Sequence, residues 1–285
     1  MRILLIDIDS RIPNLALHKI AKYHRDQGDE IIWNFPLEKW HVDKIYVSCI
    51  FTKNKRLCDE WVDIADIGGS GFDIKRKLSS EIEDIKPRIN LGFTTRGCIR
   101  HCSFCIVPDK EGAIRVVGDL LDLWDGVSKE VTILDNNITA LPDQLEKVCL
   151  QAQKHKIKID FNQGLDHRLL TEDIVRILKA TPHKEYRFAF DHPSYKPTVE
   201  RAVTLLQNQG INKCTWYVLV GYNTTFEQDL ERLNYLKSRG QNVYVQRYDT
   251  CHKKKEYIRL AQWGNQHHIF QGMTFEQFEI RKNAE

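Results

Sequence analysis

The chain has 285 residues, of which 42% are apolar and 28% are charged, and its formal net charge is +3. This composition can build one large domain, or one large and one small, and the small net charge does not by itself argue for a nucleic-acid partner. No apolar run approaches membrane-spanning length, no long apolar signal segment opens the sequence, and eight cysteines are too few for a disulfide scaffold, so we expect a cytoplasmic protein without a membrane partner.

Strand and helix patterns alternate over residues 1–86. The predicted elements are strands at 2–8, 30–33 and 44–51 and helices at 15–28 and 55–63. The alternation predicts a small α/β domain, Rossmann-like, with a parallel sheet. A glycine-rich turn at 68–71 could approach a phosphate or another backbone, and a plain loop is favoured because no complete phosphate-binding motif is present. Pro87 ends a charged helix or linker and marks the domain boundary.

From residue 87 onward the alternation repeats six times. Strand patterns lie at 91–95, 130–134, 157–161, 186–190, 215–220 and 242–247, and helical patterns at 118–124, 141–155, 171–180, 198–209 and 226–239. This order predicts a partial (β/α)6 TIM-like barrel over residues 87–285, with two of the usual eight units missing. Helices at 260–270 and 275–280 belong to a C-terminal tail.

Three closely spaced cysteines follow the first strand of the predicted barrel. Cys98, Cys102 and Cys105 stand at spacings of four and three, so they can converge on one metal centre. A closed zinc site or a fully ligated iron-sulfur cluster takes four protein ligands, so three ligands leave one position open. A zinc site completed by His101 or a distant histidine is the alternative. The other cysteines are isolated and are expected to be buried free thiols.

The CxxxCxxC spacing, with the aromatic Phe104 just before the last cysteine, resembles the motif of the radical S-adenosylmethionine (SAM) enzymes. In that family the three thiolates hold three irons of a 4Fe-4S cluster, and the amino and carboxylate groups of SAM chelate the fourth iron. The resemblance implies an enzyme that cleaves SAM reductively to a 5′-deoxyadenosyl radical, served by an external electron donor of the flavodoxin or ferredoxin type. It also implies that Phe104 packs on the adenine or presents backbone to it.

Polar residues just after the strands are candidates for the rest of the site, because the active site of such a barrel forms at the carboxyl ends of its strands. Asp135, Asn136 and Asn137 occupy the place of the family's GGE-like motif, whose polar groups accept hydrogen bonds from the SAM amino group. The motif is altered here, and an Asx turn that caps the strand end is the alternative.

Later strand ends supply further candidates. Gln163 and Arg168 could reach the SAM carboxylate or ribose, or the substrate, although Asp166 and Arg168 could equally form a structural ion pair. Asp191 could bind a ribose hydroxyl or act on the substrate. His192 could serve as an acid or base, but a structural or solvated histidine is favoured.

Two longer stretches of sequence indicate which radical SAM enzymes the chain resembles most. GLDHRLL, and VGYNTTFEQDLER with Gly221 at the position that lines the adenine, look like the cores of methylthiotransferase-like and cobalamin-type radical SAM enzymes. Residues 1–86 resemble the cobalamin-binding domain that precedes many such cores. The DxHxxG motif is absent, since Asp7 and Asp9 are followed by Ser10 and Arg11, so we predict that no cobalamin binds.

The tail begins with YDTCHKKK, whose lysines beside aromatic residues could contact a phosphate backbone, although a solvated face is favoured. The predicted function is a radical SAM enzyme that abstracts hydrogen from an unidentified substrate, with nucleic acid among the candidates. The alternative is a zinc-stabilised nucleic-acid-binding module without catalysis.

Overall fold

The computed structural model describes residues 1–284, which fall into two compact units. The first unit comprises residues 1–92 with two short segments, 106–112 and 121–126, and the second comprises the remainder. The domain boundary after residue 86 stays a prediction. None of the helices within residues 1–284 is long and apolar enough to cross a bilayer.

A parallel sheet forms the centre of the first unit. Within residues 1–92 its strands are β1 (Arg2–Asp7), β2 (Glu30–Trp33), β3 (Lys44–Ser48) and β4 (Asp66–Gly68), in the order β2-β1-β3-β4. Alternate residues of β1 serve its two faces: Ile3 and Leu5 pack with helix α1 (Leu15–Asp26), whereas Leu4 packs with Trp61. The predicted parallel sheet is confirmed.

The connections of the first unit differ in detail from the prediction. The helix predicted at 55–63 is instead a 3₁₀ helix at Thr52–Trp61. Its buried residues, Cys58 and Trp61, are three positions apart, and this spacing places both on one face of a 3₁₀ helix. The glycine turn at 68–71 packs against backbone, since a Cβ on Gly69 would lie 2.2 Å from the carbonyl oxygen of Cys49.

Shorter elements complete the part of the chain up to residue 126. They are a 3₁₀ helix at Pro36–Trp40, α2 (Ser80–Glu83), β5 (Leu91–Gly92), β6 (Thr95–Arg96), α3 (Val107–Glu111), β7 (Arg115–Val116) and α4 (Leu120–Leu123). The strand predicted at 91–95 is therefore divided into β5 and β6. The division has a local cause, because the backbone N–H of Thr94 donates to the carboxylate of Asp135 instead of to a neighbouring strand.

Parallel strands and helices alternate through the second unit. The strands are β8 (Glu130–Ile133), β9 (Lys158–Phe161), β10 (Arg187–Ala189), β11 (Thr215–Val220) and β12 (Asn242–Arg247), and the helices between them are α5 (Pro142–His155), α6 (Glu172–Ala180), α7 (Lys196–Asn208) and α8 (Phe226–Ser238). β8 pairs with β9, and β11 pairs with both β10 and β12. Single bridges, Ile159 to His183 and Leu165 to Phe188, continue the ladder between β9 and β10. The predicted class, mixed α/β with parallel sheets, is confirmed.

Side chains of the C-terminal tail occupy the free edge of β12. The tail forms α9 (Lys255–Gly264), α10 (His267–Gly272) and α11 (Phe275–Ala284), so the helix predicted at 260–270 is divided in two. Asn265 Oδ1 accepts a hydrogen bond from the N–H of Val245 at 2.6 Å, and Asn265 Nδ2 donates to the carbonyl of the same residue at 3.3 Å. Gln271 donates to the carbonyl of Gln241 at 2.7 Å. Polar side chains thus replace a neighbouring strand.

Candidate metal and cofactor site

Asp135, directly after β8, fixes the segment that leads into the cysteine loop. Its buried carboxylate accepts hydrogen bonds from the N–H of Thr94 at 2.7 Å and from Thr94 Oγ1 at 2.5 Å. Burial raises the pKa of Asp135, although the Thr94 donors favour its charged form. Because the protein itself engages both carboxylate oxygens, Asp135 holds the start of the loop in place.

The three clustered cysteines lie half-buried on one loop, and all are free thiols. The backbone N–H of Arg100 donates to Cys98 Sγ at 3.3 Å, and a turn joins Cys102 to Cys105. Burial raises the pKa of the Cys102 thiol, and the positive charge of Arg168 opposes that rise. The remaining cysteines are free and buried, as predicted.

Across residues 1–284, no three cysteine, histidine, aspartate or glutamate side chains are grouped closely enough to hold a metal ion. Thiolates repel one another, so the ligands of such a loop draw together as they bind their metal. His101, the histidine that could complete a zinc site, is exposed. Whether a metal suits this loop is therefore judged from the three thiols and from the groups that surround them.

Asn137 brings an unpaired acceptor to the cysteine loop. Its Nδ2 lies 3.5 Å from Cys98 Sγ and 3.3 Å from Asp166 Oδ2. Its Oδ1 is buried and has no hydrogen-bond partner among the described residues. A buried acceptor left unpaired costs about 1–3 kcal/mol, which a donor from a ligand would offset. The N–H groups that donate to Cys98 Sγ would stabilise a thiolate. The unpaired Oδ1 of Asn137 could accept a hydrogen bond from an amino group, so these residues fit a cluster that carries SAM.

Asp166 links the cysteine loop to the segment after β9. Its buried carboxylate accepts hydrogen bonds from Arg100 Nε at 3.0 Å and from Arg168 at 2.7 and 3.1 Å. Burial alone would raise the pKa of Asp166, but the guanidinium groups of Arg168 and Arg100 outweigh burial and lower it. The ion pair with Arg168 is therefore present. Arg100 is a second partner that the sequence did not single out, although its position between two cysteines was a usable signal.

Phe104 and Gly221 have contacts within the protein. The ring of Phe104 meets Tyr222 edge to face, with centroids 5.4 Å apart, and Tyr222 is hydrogen-bonded to Ser103 at 2.7 Å. The loop after β11 is thereby attached to the cysteine loop. A Cβ on Gly221, whose φ is +76°, would lie 2.5 Å from Cys251 Sγ, so close packing requires glycine here. An adenine contact for either residue stays a prediction.

The other polar candidates lie in different environments. Asn136 is half-buried, whereas Gln163 is exposed and has no hydrogen-bond partner in the described part of the chain. Burial raises the pKa of Asp191 to about 6. His192 accepts a hydrogen bond from the N–H of Ser194 at 3.2 Å and so caps the 3₁₀ helix at Pro193–Tyr195, which supports the structural interpretation of this histidine.

Known proteins resemble parts of the sequence. No family model matches the chain. A CDK5RAP1-like protein of Oryza sativa subsp. japonica is 30% identical over 156 residues, which cover 46% of this chain and 25% of that protein. A tRNA-2-methylthio-N(6)-dimethylallyladenosine synthase of Chloroherpeton thalassium is 30% identical over 94 residues, which cover 29% of this chain and 21% of that protein. The chain therefore spans about a quarter of the length of these relatives.

The fold resembles a solved radical SAM structure. The methyltransferase TsrM from Kitasatospora setae, with cobalamin and a [4Fe-4S] cluster bound, superposes with a TM-score of 0.62 and 12% identity, over 86% of this chain and 74% of that one. This likeness shows the fold alone. The [4Fe-4S] cluster of that protein agrees with the predicted cofactors, but it also holds cobalamin, so the predicted absence of cobalamin is not confirmed. In sequence the chain is thus similar to parts of methylthiotransferases, and in fold it is similar to a radical SAM methyltransferase, which supports the predicted enzyme class.

Proposed function

We propose that this chain is a radical SAM enzyme that abstracts hydrogen from an adenosine nucleotide of RNA. The open acceptor of Asn137 beside Cys98 carries the proposal, because a cluster-bound amino acid would supply the missing donor. Cys98, Cys102 and Cys105 would ligate the 4Fe-4S cluster. When bound, the cluster and SAM supply the chemistry: one electron cleaves the C5′–S bond to methionine and a 5′-deoxyadenosyl radical.

The residues around the loop have separate tasks in this proposal. Asn137 Oδ1 accepts from the SAM amino group, and the paired guanidinium groups of Arg100 and Arg168 attract its carboxylate. Asp166 orients both arginines, and Asp135 holds the loop through Thr94. Phe104, Asn136, Gln163 and Gly221 remain proposed contacts of SAM. The chain-ordered parallel strands support the proposed partial barrel, whose carboxyl ends would carry all of these residues.

The names of the relatives motivate the proposed substrate. The Chloroherpeton thalassium relative is named as a synthase of a modified adenosine in tRNA. We extend that substrate class to this chain as a proposal, together with an external electron donor of the flavodoxin or ferredoxin type. Free cysteines throughout the chain suit a reducing cytoplasm, where such a cluster persists.

We also propose that the first unit binds no cobalamin. The carboxylate of Asp9 already accepts the N–H groups of Ile50 and Phe51, at 2.8 and 2.9 Å, and the amide of Asn54 at 3.0 Å. The segment that would carry DxHxxG is thus tied to the unit's own backbone. Titration with hydroxocobalamin tests this proposal, and a stoichiometric change in the cobalamin absorption spectrum would overturn it.

Electron paramagnetic resonance of the anaerobically reconstituted, reduced protein tests the main proposal. We expect a 4Fe-4S signal that changes on addition of SAM, together with 5′-deoxyadenosine as a product when reductant is present. Stoichiometric zinc in anaerobically purified protein, without a SAM-sensitive signal, would support the zinc-stabilised module instead.

A further inference from the structure

One face of β12 presents two side chains, Tyr244 and Gln246, that the described residues leave exposed. Tyr244 is 43% exposed and Gln246 is also exposed, although both belong to a parallel strand. Parallel sheets are normally covered on both faces. The opposite face is covered, since Val243 and Val245 are buried and pack at Gly264 of α9. The face that carries Tyr244 and Gln246 is therefore accessible to a ligand.

Neighbouring residues hold this face in a fixed arrangement. Tyr217 on β11 contacts Tyr244 nearly at right angles, at 79°, with ring centroids 5.8 Å apart. The hydroxyl of Tyr217 donates to the carbonyl of Asn162 at 2.7 Å, which fixes its ring. Asp160 on β9 and Arg187 on β10 form an ion pair, so their charges offset one another. Tyr244 is supported from one side while much of its ring surface faces solvent.

Gln246 adds a donor and an acceptor to the same face. It lies two residues beyond Tyr244, so the two side chains point in one direction about 7 Å apart along the strand. Its amide has no hydrogen-bond partner among residues 1–284. A glutamine amide can bond N6 and N7 of adenine together, and a tyrosine ring stacks on any base. The combination suits adenine better than a base that lacks this donor and acceptor pair.

Exposed cations follow the same strand. After Arg247 the chain turns into a short 3₁₀ helix at Asp249–Cys251 and then presents Lys253, Lys254 and Lys255, all exposed. Phosphates on either side of a bound base would meet these ammonium groups. An aromatic ring, a free amide and a run of cations in this order match the parts of a nucleotide within an RNA strand.

We propose that β12 recognises the adenine of the substrate, with Tyr244 stacked on the base, Gln246 bonded to N6 and N7, and Lys253 on a flanking phosphate. This inference rests on the proposed RNA substrate and assigns the residues that select its base. Because it concerns binding, it can be tested apart from radical chemistry.

The test measures the binding of labelled RNA hairpins by fluorescence anisotropy, with full-length, cluster-reconstituted protein and SAM under anaerobic conditions. The hairpins differ only in one unpaired loop nucleotide, which is adenosine, 7-deazaadenosine or abasic. We expect the wild type to bind the adenosine hairpin about tenfold more tightly than either of the others. Gln246→Leu should lose the preference over 7-deazaadenosine, and Tyr244→Ala should reduce the preference over the abasic hairpin, whereas Tyr244→Phe should retain both.

Lysine variants separate phosphate contacts from base contacts. Lys253→Gln should weaken binding to every hairpin and reduce the slope of log affinity against log salt by about 1. Lys213→Gln is the matched control, because Lys213 is exposed at the opposite end of the sheet, before β11. Its affinities and salt slope should equal those of the wild type.

Several results would overturn the assignment. One is adenosine preference that survives Gln246→Leu and Tyr244→Ala in folded protein, as judged by thermal unfolding. Another is a wild type that shows the SAM-sensitive signal but binds all three hairpins equally or not at all, in which case the radical SAM function stands and this inference fails. Absence of the SAM-sensitive signal would instead remove the proposed function, whatever the RNA data show.

Discussion

Each unit places a buried or half-buried aspartate just beyond a strand of a parallel sheet, and the two aspartates have different partners. Asp9, after β1, is satisfied by backbone N–H groups and an asparagine amide, all neutral and all from its own unit. Asp166, after β9, is satisfied by two guanidinium groups and lies beside an amide with an open acceptor. An aspartate after a strand can therefore have a purely structural role, or it can lie beside a group that is still able to bind a ligand.

Removal of a proposed cluster ligand should have the largest effect. Cys102→Ala should lose nearly all bound iron, because two thiolates seldom retain a 4Fe-4S cluster. Iron analysis and the visible absorption of anaerobically reconstituted protein measure the loss. Cys149→Ala, at a buried thiol on α5, is the matched control and should keep wild-type iron. Iron in Cys102→Ala equal to that in the control would exclude Cys102 as a ligand.

Removal of the charge of Asp166 should lower SAM affinity, whereas removal of the charge of Asp9 should not. Asp166→Asn leaves two guanidinium groups without their counter-ion, so we expect a loss of about 2–3 kcal/mol in the free energy of unfolding and weaker SAM binding. Asp9→Asn should cost about 1–2 kcal/mol through its misplaced amide donors, with SAM affinity unchanged. Urea unfolding and calorimetric titration of SAM provide the two measurements. An equal loss of SAM affinity in both variants would contradict the comparison.

The open acceptor should affect affinity more than stability. Asn137→Ala should weaken SAM binding about tenfold, because it leaves an N–H of the iron-bound amino group without an acceptor, at a cost of about 1–3 kcal/mol. Its iron content should match the wild type. Asn54→Ala removes the amide next to Asp9 and serves as the control, with unchanged SAM affinity. Wild-type SAM affinity in Asn137→Ala would mean that another group fills this role.

The smallest expected effect is a change in the free energy of unfolding at acidic pH. Asp166 and Asp9 both have a pKa lowered from the ordinary value of 3.8, so each adds stability that is complete above that pH and is lost as the pH falls through the folded-state pKa. The stability difference between wild type and Asp166→Asn should be constant down to about pH 5 and shrink below about pH 4. Urea unfolding over a pH series measures it. A difference that persists unchanged to about pH 3 would argue against this ion pairing.

Periodicity predicted most of the fold, because buried strands and amphipathic helices have distinct apolar patterns. β11 and β12 lie where they were predicted, and α5 and α8 differ from the prediction by one residue. The misses arose where one side chain or a local spacing decided the backbone. Thr94 gives its N–H to Asp135 and divides a strand, and the spacing of Cys58 and Trp61 favours a 3₁₀ helix.

The site was predictable only in part. Cysteine spacing predicted the loop as a metal site, and strand ends predicted Asp135 and Asn137 as candidates beside it. Asp135 already accepts hydrogen bonds from Thr94, whereas Asn137 keeps an unpaired oxygen. This difference depends on the tertiary structure and could not be predicted from the sequence. Arg100 was missed for the same reason, since its partner Asp166 lies 66 positions away in the sequence.

The polar side chains along β12 also affect how copies of this protein meet one another. An unprotected strand edge can recruit a strand from another molecule and start an ordered aggregate. Here the amide and carbonyl of Val245 are occupied by Asn265, so a second chain could extend the sheet at this strand only after displacing the start of α10 and the residues before it. The tail thus protects the exposed edge of β12 against pairing with a strand of another molecule.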